Sequence, residues 1–166
     1  MALVQERAEL RGQLINKGSI FYNFHLCLQK GDAYTGYAEI VFDLLAPPEE
    51  LAVDFKGREV TRIIQNGQVV EVNLVDGFIL LDTKNLKVDR NVVGIHYGCN
   101  YDNDGSGCVS FVDVDSKQYI YTQFEPYYAN RVFPCFDQPN LKAFMRLSVI
   151  SPAEWTKILS NEYRIT

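Results

Sequence analysis

The sequence lacks the features of nucleic-acid-binding and membrane-spanning chains. It contains no run of five like charges, and acidic side chains outnumber basic ones by 21 to 16. A nucleic-acid groove or an anionic membrane surface is therefore not expected as the partner. There is no apolar stretch of 18 residues, and Glu6 and Arg7 interrupt the N-terminus before a signal-peptide core could form. We expect no membrane insertion and a cytoplasmic location.

Histidine and cysteine are scarce and scattered. The four cysteines form no C-x-x-C pair, and His25 and His96 lie far apart in strand-like surroundings. Catalytic zinc takes three protein ligands, and neither histidine has the i, i+4 partner that would place two imidazoles on one helix face. We expect no cofactor, no zinc and no hydrolysis by this chain alone. The thiols of Cys27, Cys99, Cys108 and Cys135 are expected to be reduced and mostly buried, with a bridge between two of them left open if the protein is exported.

Short alternating runs dominate the chain after an N-terminal helical stretch. Residues 3–15 have rough helical spacing, and ten runs with the two-residue period of strands follow. These runs are 19–29, 34–45, 51–55, 59–65, 69–75, 78–81, 92–96, 108–114, 118–124 and 141–150. The pattern predicts an all-β, antiparallel fold with a short N-terminal helix. A chain of 166 residues can bury one sizeable core, so a single domain over residues 1–166 is expected.

Turn signals divide these runs. Asn66-Gly67 and Asp76-Gly77 supply the positive φ angles of tight hairpin turns, and they predict a three-stranded meander over residues 59–81. Three prolines interrupt residues 126–140, which we call the proline-rich segment, so it cannot be a regular strand. Residues 152–159 are predicted to make one or two helical turns capped by Ser151.

One stretch carries a long, specific motif. Residues 122–125 read T-Q-x-E, residues 129–139 read A-x-R-x-F-P-C-x-D-x-P, and residues 141–143 read L-K-A. This pattern resembles a signature of the aminopeptidase N family of zinc metallopeptidases. The resemblance extends from Tyr34-Thr35-Gly36 to Ser160-Asn161 and covers nearly the whole chain. It implies the family's N-terminal domain, a saddle-shaped and mostly antiparallel β structure that lies over a catalytic domain.

The family's catalytic motifs are absent. Its enzymes use a G-x-M-E-N segment to grip the substrate and H-E-x-x-H with a downstream Glu to hold zinc, and neither motif occurs in this sequence. The resemblance implies that Gln123 and Glu125 match positions that line the first specificity pocket and hold the substrate's free α-amine. A carboxylate is the natural acceptor for an ammonium group. A single exposed ion pair is worth only about 0.2–1 kcal/mol, so Glu125 by itself is expected to bind amines too weakly to matter.

Two further groups of charged residues lie near this motif. Arg131 and Asp137 flank Phe133-Pro134-Cys135, and we expect them to form a structural ion pair. Asp102, Asp104, Ser106 and Asp113 fit positions 1, 3, 5 and 12 of a calcium-binding loop. Because the flanking residues alternate like strands rather than helices, a hairpin loop is preferred to a calcium site.

Two functional hypotheses remain. The first is a non-catalytic interaction or structural subunit that docks into a larger assembly of protein subunits. In the resembled family the N-terminal domain continues beyond Ser160-Asn161, so the C-terminal edge and the Tyr127-Tyr128 surface are the predicted docking sites. The second is an N-terminal fragment or split half of a zinc aminopeptidase that contributes amine and first-pocket recognition. An intact reading frame beyond Thr166 encoding the two missing motifs would favour the second.

Overall fold

The computed structural model describes residues 2–155 and 157–161. Within these residues, a helix, α1 (Ala2–Leu14), precedes eleven strands. The strands are β1 (Ile20–Cys27), β2 (Ala33–Leu44), β3 (Ala52–Asp54), β4 (Glu59–Gln65), β5 (Gln68–Val70), β6 (Leu74–Val75), β7 (Phe78–Leu80), β8 (Asp89–Asn100), β9 (Gly107–Val112), β10 (Gln118–Gln123) and β11 (Ala143–Ile150). Two single-turn 3₁₀ helices lie at Thr83–Asn85 and Ala129–Arg131. No helix among the described residues has the length and apolar character needed to cross a bilayer.

The strands form three sheets. The largest has the order β11-β1-β2-β8-β4-β5, and two smaller sheets have the orders β3-β7-β6 and β10-β9. Every pairing is antiparallel except that of β1 with β11, in which Ile20 lies opposite Ala143. The prediction of an all-β, mostly antiparallel fold with a short N-terminal helix is confirmed.

Alternation along the long strands builds the core. One register row of the large sheet places Phe24, Ala38, Ile95 and Ile63 side by side, and all four are buried. Each large apolar side chain buried in this way contributes about 1.5–3 kcal/mol. The neighbouring row carries His25, Tyr37 and His96 on the opposite face of the sheet. The core therefore lies on one side of the sheet, and the polar row faces away from it.

The predicted meander over residues 59–81 is wrong, although both of its turns are correct. Asn66 and Gly67 have φ of 50° and 85°, and Asp76 and Gly77 have φ of 52° and 82°. The first hairpin, β4–β5, belongs to the large sheet, whereas the second, β6–β7, joins β3 in another sheet. β3 is buried along its whole length, so pairing with it satisfies backbone groups that water cannot reach.

The predicted helical turns at 152–159 are also wrong within the described residues. Ser151–Trp155 make a turn in which the Trp155 N–H donates to the Pro152 carbonyl at 3.0 Å, and residues 157–160 are not helical. Residue 156 lies outside the described part of the chain.

Candidate functional site

The Gln123 side chain holds Glu125 at the end of β10. Its Oε1 accepts from the Glu125 backbone N–H at 3.0 Å, and its Nε2 donates to the Glu125 carbonyl at 3.3 Å. Glu125 is exposed, and no described residue donates a hydrogen bond to its carboxylate. The two residues singled out by the motif are therefore joined through the Glu125 backbone, and the Glu125 side chain is left exposed to solvent.

A buried aspartate anchors the segment that follows. Asp54 on β3 accepts from the Tyr127 hydroxyl at 2.9 Å, from the Asp137 backbone N–H at 2.9 Å, and from Arg11 Nη1 at 2.5 Å. Its backbone also pairs with that of Cys135 in both directions. The Asp54 side chain is 0% exposed and that of Arg11 is 2% exposed. The proline-rich segment is thus tied at two points to the Asp54 carboxylate and at a third to the Asp54 backbone, and the charge of the carboxylate is balanced from helix α1.

Neither Arg11 nor Asp54 was among the residues that the sequence analysis selected. Both nevertheless interrupt an apolar pattern. Arg11 falls on the helical stripe of Val4, Ala8 and Ile15, and Asp54 sits inside the apolar run Leu51–Phe55. A charge on a face that must be buried requires a partner of opposite charge. Two such charges of opposite sign are the signal that would have identified this pair.

The predicted Arg131–Asp137 ion pair is wrong. The Arg131 guanidinium binds Asp102 and Asp104, the latter at 3.0 Å. Asp137 Oδ2 instead accepts from the backbone N–H and the side-chain amide of Asn130, at 3.0 and 2.7 Å. Burial raises the pKa of the Asp137 carboxyl above its ordinary value. Arg131 and Asp137 do not pair because they face different neighbours. Arg131 lies at the end of the 3₁₀ turn beside the 102–107 loop, whereas Asp137 accepts hydrogen bonds from Asn130 within that turn.

The loop proposed as a calcium alternative is satisfied from within the protein. Besides Arg131, Asp102 accepts from the Cys108 N–H at 2.9 Å, and Asp104 accepts from the Ser106 N–H at 3.1 Å. The hydrogen bond from Arg131 lowers the pKa of the Asp104 carboxyl. Asp113 accepts from the next backbone N–H, that of Val114, at 2.7 Å. The loop joins strands β8 and β9, so the flanking helices of a calcium-binding hand are not present there.

The tyrosine surface is partly used inside the domain. Tyr127 and Tyr128 are both partly buried. The Tyr127 hydroxyl donates to Asp54, and the Lys56 ammonium lies 5.1 Å from its ring centre. The Arg131 guanidinium lies 5.7 Å from the ring centre of Tyr128. Burial and the negative charge of Asp54 raise the pKa of Tyr127. Tyr127 is therefore a structural residue first, and only part of its ring is available to a partner.

The histidines and cysteines form no metal centre within the described residues. The Tyr37 ring lies between the two imidazoles, with centroid distances of 5.9 Å to His25 and 4.8 Å to His96. All four cysteines carry free thiols, and burial raises the pKa of Cys99 and Cys108 to about 12. Thiols held neutral in this way are poor nucleophiles and poor metal ligands.

Comparison with known proteins gives a consistent assignment. A family model described as the peptidase M1 N-terminal domain matches residues 19–166. Aminopeptidase N of Streptomyces lividans is 33% identical over 161 residues, which are 96% of this chain and 19% of that protein. Aminopeptidase M1-A of rice, Oryza sativa subsp. japonica, is 27% identical over 146 residues, with 79% of this chain and 16% of that protein covered.

Solved structures agree on the fold. The structure of native yeast LTA4 hydrolase superposes with a TM-score of 0.69 at 19% identity, covering 86% of this chain and 24% of that one. An M1 zinc metallopeptidase from Deinococcus radiodurans gives a TM-score of 0.66 at 18% identity, covering 85% and 33%. The chain spans a fifth or less of the length of the curated relatives named above. The chain belongs to the M1 peptidase family and corresponds to the N-terminal domain of its members.

Proposed function

We propose that this domain is a non-catalytic docking module that joins a larger protein assembly through the edge of β11. β11 is one of the two edge strands of the six-stranded sheet, and its outer edge pairs with no other described strand. Unpaired backbone groups on a sheet edge accept an added strand from a partner. The partner is another protein chain or domain that offers an extended segment.

The side chains of β11 support this proposal. Phe144 is 74% exposed, and Met145 and Leu147 on the other face are also exposed. Sheet edges that face water are usually protected by charged residues or proline, and within β11 the charged residue is Arg146. Apolar exposure on both faces of an edge strand is the observation that carries the docking proposal.

A groove beside β11 extends this surface. It measures about 400 Å³ and lies between the inner face of β1 and β11 and the proline-rich segment. Tyr22, Phe24, Phe124, Phe133 and Met145 line it. An extended segment with apolar side chains at alternate positions could pair its backbone with the edge of β11 and place those side chains in the groove. Such an occupant is a strand-forming protein segment rather than a nucleic acid or a lipid surface.

The test isolates the native assembly with tagged wild-type and variant chains. Phe144→Lys places a charge on the docking strand, and Val114→Lys makes the same kind of change at a fully exposed position outside it. We expect a stoichiometric partner polypeptide by native mass spectrometry with the wild type and with Val114→Lys, and its loss with Phe144→Lys. Full retention of the partner by Phe144→Lys would contradict the proposal.

A second candidate function is favoured by the free carboxylate of Glu125. In this alternative the partner is a zinc-binding catalytic domain, and Gln123 and Glu125 contribute the first pocket and the recognition of the substrate's α-amine. The two side-chain hydrogen bonds of Gln123 to the Glu125 backbone fix the position of that residue. A charged hydrogen bond to a bound ammonium would contribute about 1.5–3 kcal/mol in a site closed from water.

A chimaera tests this alternative. This chain replaces the matching N-terminal fifth of Streptomyces lividans aminopeptidase N, and hydrolysis of an amino-acid anilide is measured. Glu125→Gln should lower kcat/KM by roughly tenfold to a hundredfold, because about 1.4 kcal/mol corresponds to a factor of ten. Glu71→Gln, a change at another exposed glutamate, should leave the rate unchanged. Equal rates for Glu125→Gln and Glu71→Gln would exclude Glu125 from amine recognition.

A further inference from the structure

Helix α1 contacts the proline-rich segment through the Ala8 carbonyl, which accepts from Gln138 Nε2 at 3.0 Å, and reaches Asp54 through the buried side chain of Arg11. The helix lies ahead of residues 19–166, the part of the chain that the family model matches. Arg11 donates from Nη1 to the Asp54 carboxylate at 2.5 Å and to the Ala52 carbonyl at 3.2 Å. Its guanidinium carbon also lies 5.7 Å from the ring centre of Phe136. Arg11 thus contacts strand β3 and the proline-rich segment at once.

Asp54 in turn contacts the proline-rich segment near both of its ends. Oδ1 receives the Tyr127 hydroxyl, two residues after Glu125, and Oδ2 receives the Asp137 backbone N–H. Asp137 in turn receives two hydrogen bonds from Asn130, whose side chain also donates to the Tyr127 carbonyl at 3.3 Å. A ring of hydrogen bonds therefore joins Asp54, Tyr127, Asn130 and Asp137 around the 3₁₀ turn Ala129–Arg131.

This ring depends on the charge of Arg11. A carboxylate that is completely buried needs a partner of opposite charge, because the protein interior cannot solvate it. Without Arg11, the Asp54 carboxylate would keep its hydrogen bonds from Tyr127 and Asp137 but lose the charge that balances it. Opening of the segment would let water reach this carboxylate, so its contacts with Tyr127 and with the Asp137 N–H would break and the segment would be released from β3.

We propose that Arg11 is the positioning residue of the amine site: by balancing the buried charge of Asp54, helix α1 fixes the conformation of the proline-rich segment and with it the placement of Glu125. Arg7 on the same helix has different partners and lies over the Phe78 ring, 4.3 Å from its centre. It lies one turn earlier and pairs with Glu50, whose side chain is 47% exposed. The site role of Arg11 rests on the second proposed function, whereas its effect on the segment can be measured in the isolated chain.

The first experiment is amide hydrogen exchange of the full chain, read by mass spectrometry over separate peptides. Arg11→Gln should raise exchange in residues 126–137 by about tenfold or more while β2 and β8 keep wild-type rates. Arg11→Gln combined with Asp54→Asn should restore slow exchange, because no buried charge is left without a partner. Arg7→Gln, the matched control on the same helix, should leave residues 126–137 unchanged.

Three outcomes would overturn the proposal. They are wild-type exchange of residues 126–137 in Arg11→Gln, an equal rise across all strands, and a double variant that exchanges as fast as the single one. If Arg11→Gln does not fold, Tyr127→Phe and the double variant decide. Tyr127→Phe removes one contact of Asp54 and should speed exchange around residue 127 alone, and the double variant should fold; failure of either result contradicts the proposed ring.

The chimaera separates this inference from the proposed function. Arg11→Gln should there raise KM for substrates with a free α-amine more than it lowers kcat. An inactive chimaera with the expected exchange pattern would reject the amine-site proposal and leave the control of the segment by Arg11 in place. An active chimaera whose KM is insensitive to Arg11→Gln would reject the positioning role.

Discussion

Two arginine–aspartate arrangements hold the proline-rich segment, one beneath it and one at its outer side. Beneath it, Arg11 and Asp54 have side chains that are 2% and 0% exposed. At the outer side, Arg131 binds Asp102 and Asp104, with exposures of 24%, 14% and 54%. The residue types are the same, so the two arrangements compare a buried ion pair with a partly exposed one.

Burial determines how much stability is lost when one partner of an ion pair is removed. When the partner of an exposed charge is removed, water solvates the remaining charge and little stability is lost. When the partner of a buried charge is removed, the remaining charge stays in a medium that cannot solvate it, and the loss is several-fold larger. The inner pair should therefore determine whether the segment folds, and the outer arrangement should adjust how firmly its 3₁₀ turn is held.

The largest effect is expected at the inner pair. Asp54→Ala should lower the free energy of unfolding by about 3–5 kcal/mol, because it leaves the buried Arg11 guanidinium without a partner of opposite charge. Urea denaturation followed by circular dichroism measures this loss. Glu50→Ala, which removes the partner of Arg7 on the same helix, should cost less than about 1 kcal/mol. Similar losses in the two variants would contradict the dominance of burial.

The outer arrangement should show a smaller and salt-dependent effect. Arg131→Ala should lower the free energy of unfolding by about 1 kcal/mol at low ionic strength. Raising the salt concentration to about 1 M should reduce this loss, since the Debye length falls to about 3 Å. The same salt step should leave the loss in Asp54→Ala nearly unchanged. Equal salt sensitivity of both variants would remove the distinction between the two arrangements.

A double-mutant cycle defines the partners of Arg131. The structure assigns Asp102 to it and assigns Asp137 to Asn130. The cycle of Arg131→Ala with Asp102→Ala should give a coupling energy of about 0.5 kcal/mol or more, and the cycle with Asp137→Ala should be additive within about 0.5 kcal/mol. Strong coupling to Asp137 would restore the pairing that the motif suggested.

The pH dependence of Asp137 offers a finer test. Burial raises the pKa of this carboxyl in the folded protein, so the folded state binds its proton more tightly than the unfolded chain does. The stabilising contribution is fully present below the unfolded pKa of about 3.9 and is lost as pH rises through the raised folded pKa. Asp137→Asn lacks this dependence. Relative to wild type, the variant should gain stability between pH 3 and pH 7, and a relative loss over that range would contradict the sign.

The sequence predicted the parts of the fold that rest on periodicity. Alternation of apolar residues located the long strands β1 and β2, and Asn-Gly and Asp-Gly located two hairpin turns, because these signals are local. The choice of sheet for each hairpin was not predictable in this way. It depends on the pairing of β7 with the buried strand β3, which lies more than twenty residues earlier in the chain.

The candidate site was predictable only in part. The motif drew attention to Gln123, Glu125, Arg131 and Asp137, but it could not say which charges meet, since that depends on how the 102–107 loop and the proline-rich segment pack together. The pairing of Arg131 with Asp137 was inferred from nearness in sequence, and the structure gives each residue a different partner. Charges that interrupt apolar patterns, as Arg11 and Asp54 do, are the better guide to buried pairs.

The smallest effect is expected from calcium, and it tests whether the outer arrangement is complete. Asp102 and Asp104 already neutralise Arg131, and their remaining oxygens accept backbone N–H groups of the same loop and of β9. A calcium ion would have to displace the guanidinium, so we expect no binding tighter than about 1 mM, the weak limit of natural calcium loops.

Titration calorimetry of the wild type should show no heat of binding at micromolar calcium. The same titration of Arg131→Ala sharpens the result, because that variant frees both carboxylates without supplying the further oxygen ligands that calcium needs. Micromolar affinity in the wild type that disappears in Asp102→Ala would show instead that the loop is a metal site and that Arg131 gives way to the ion.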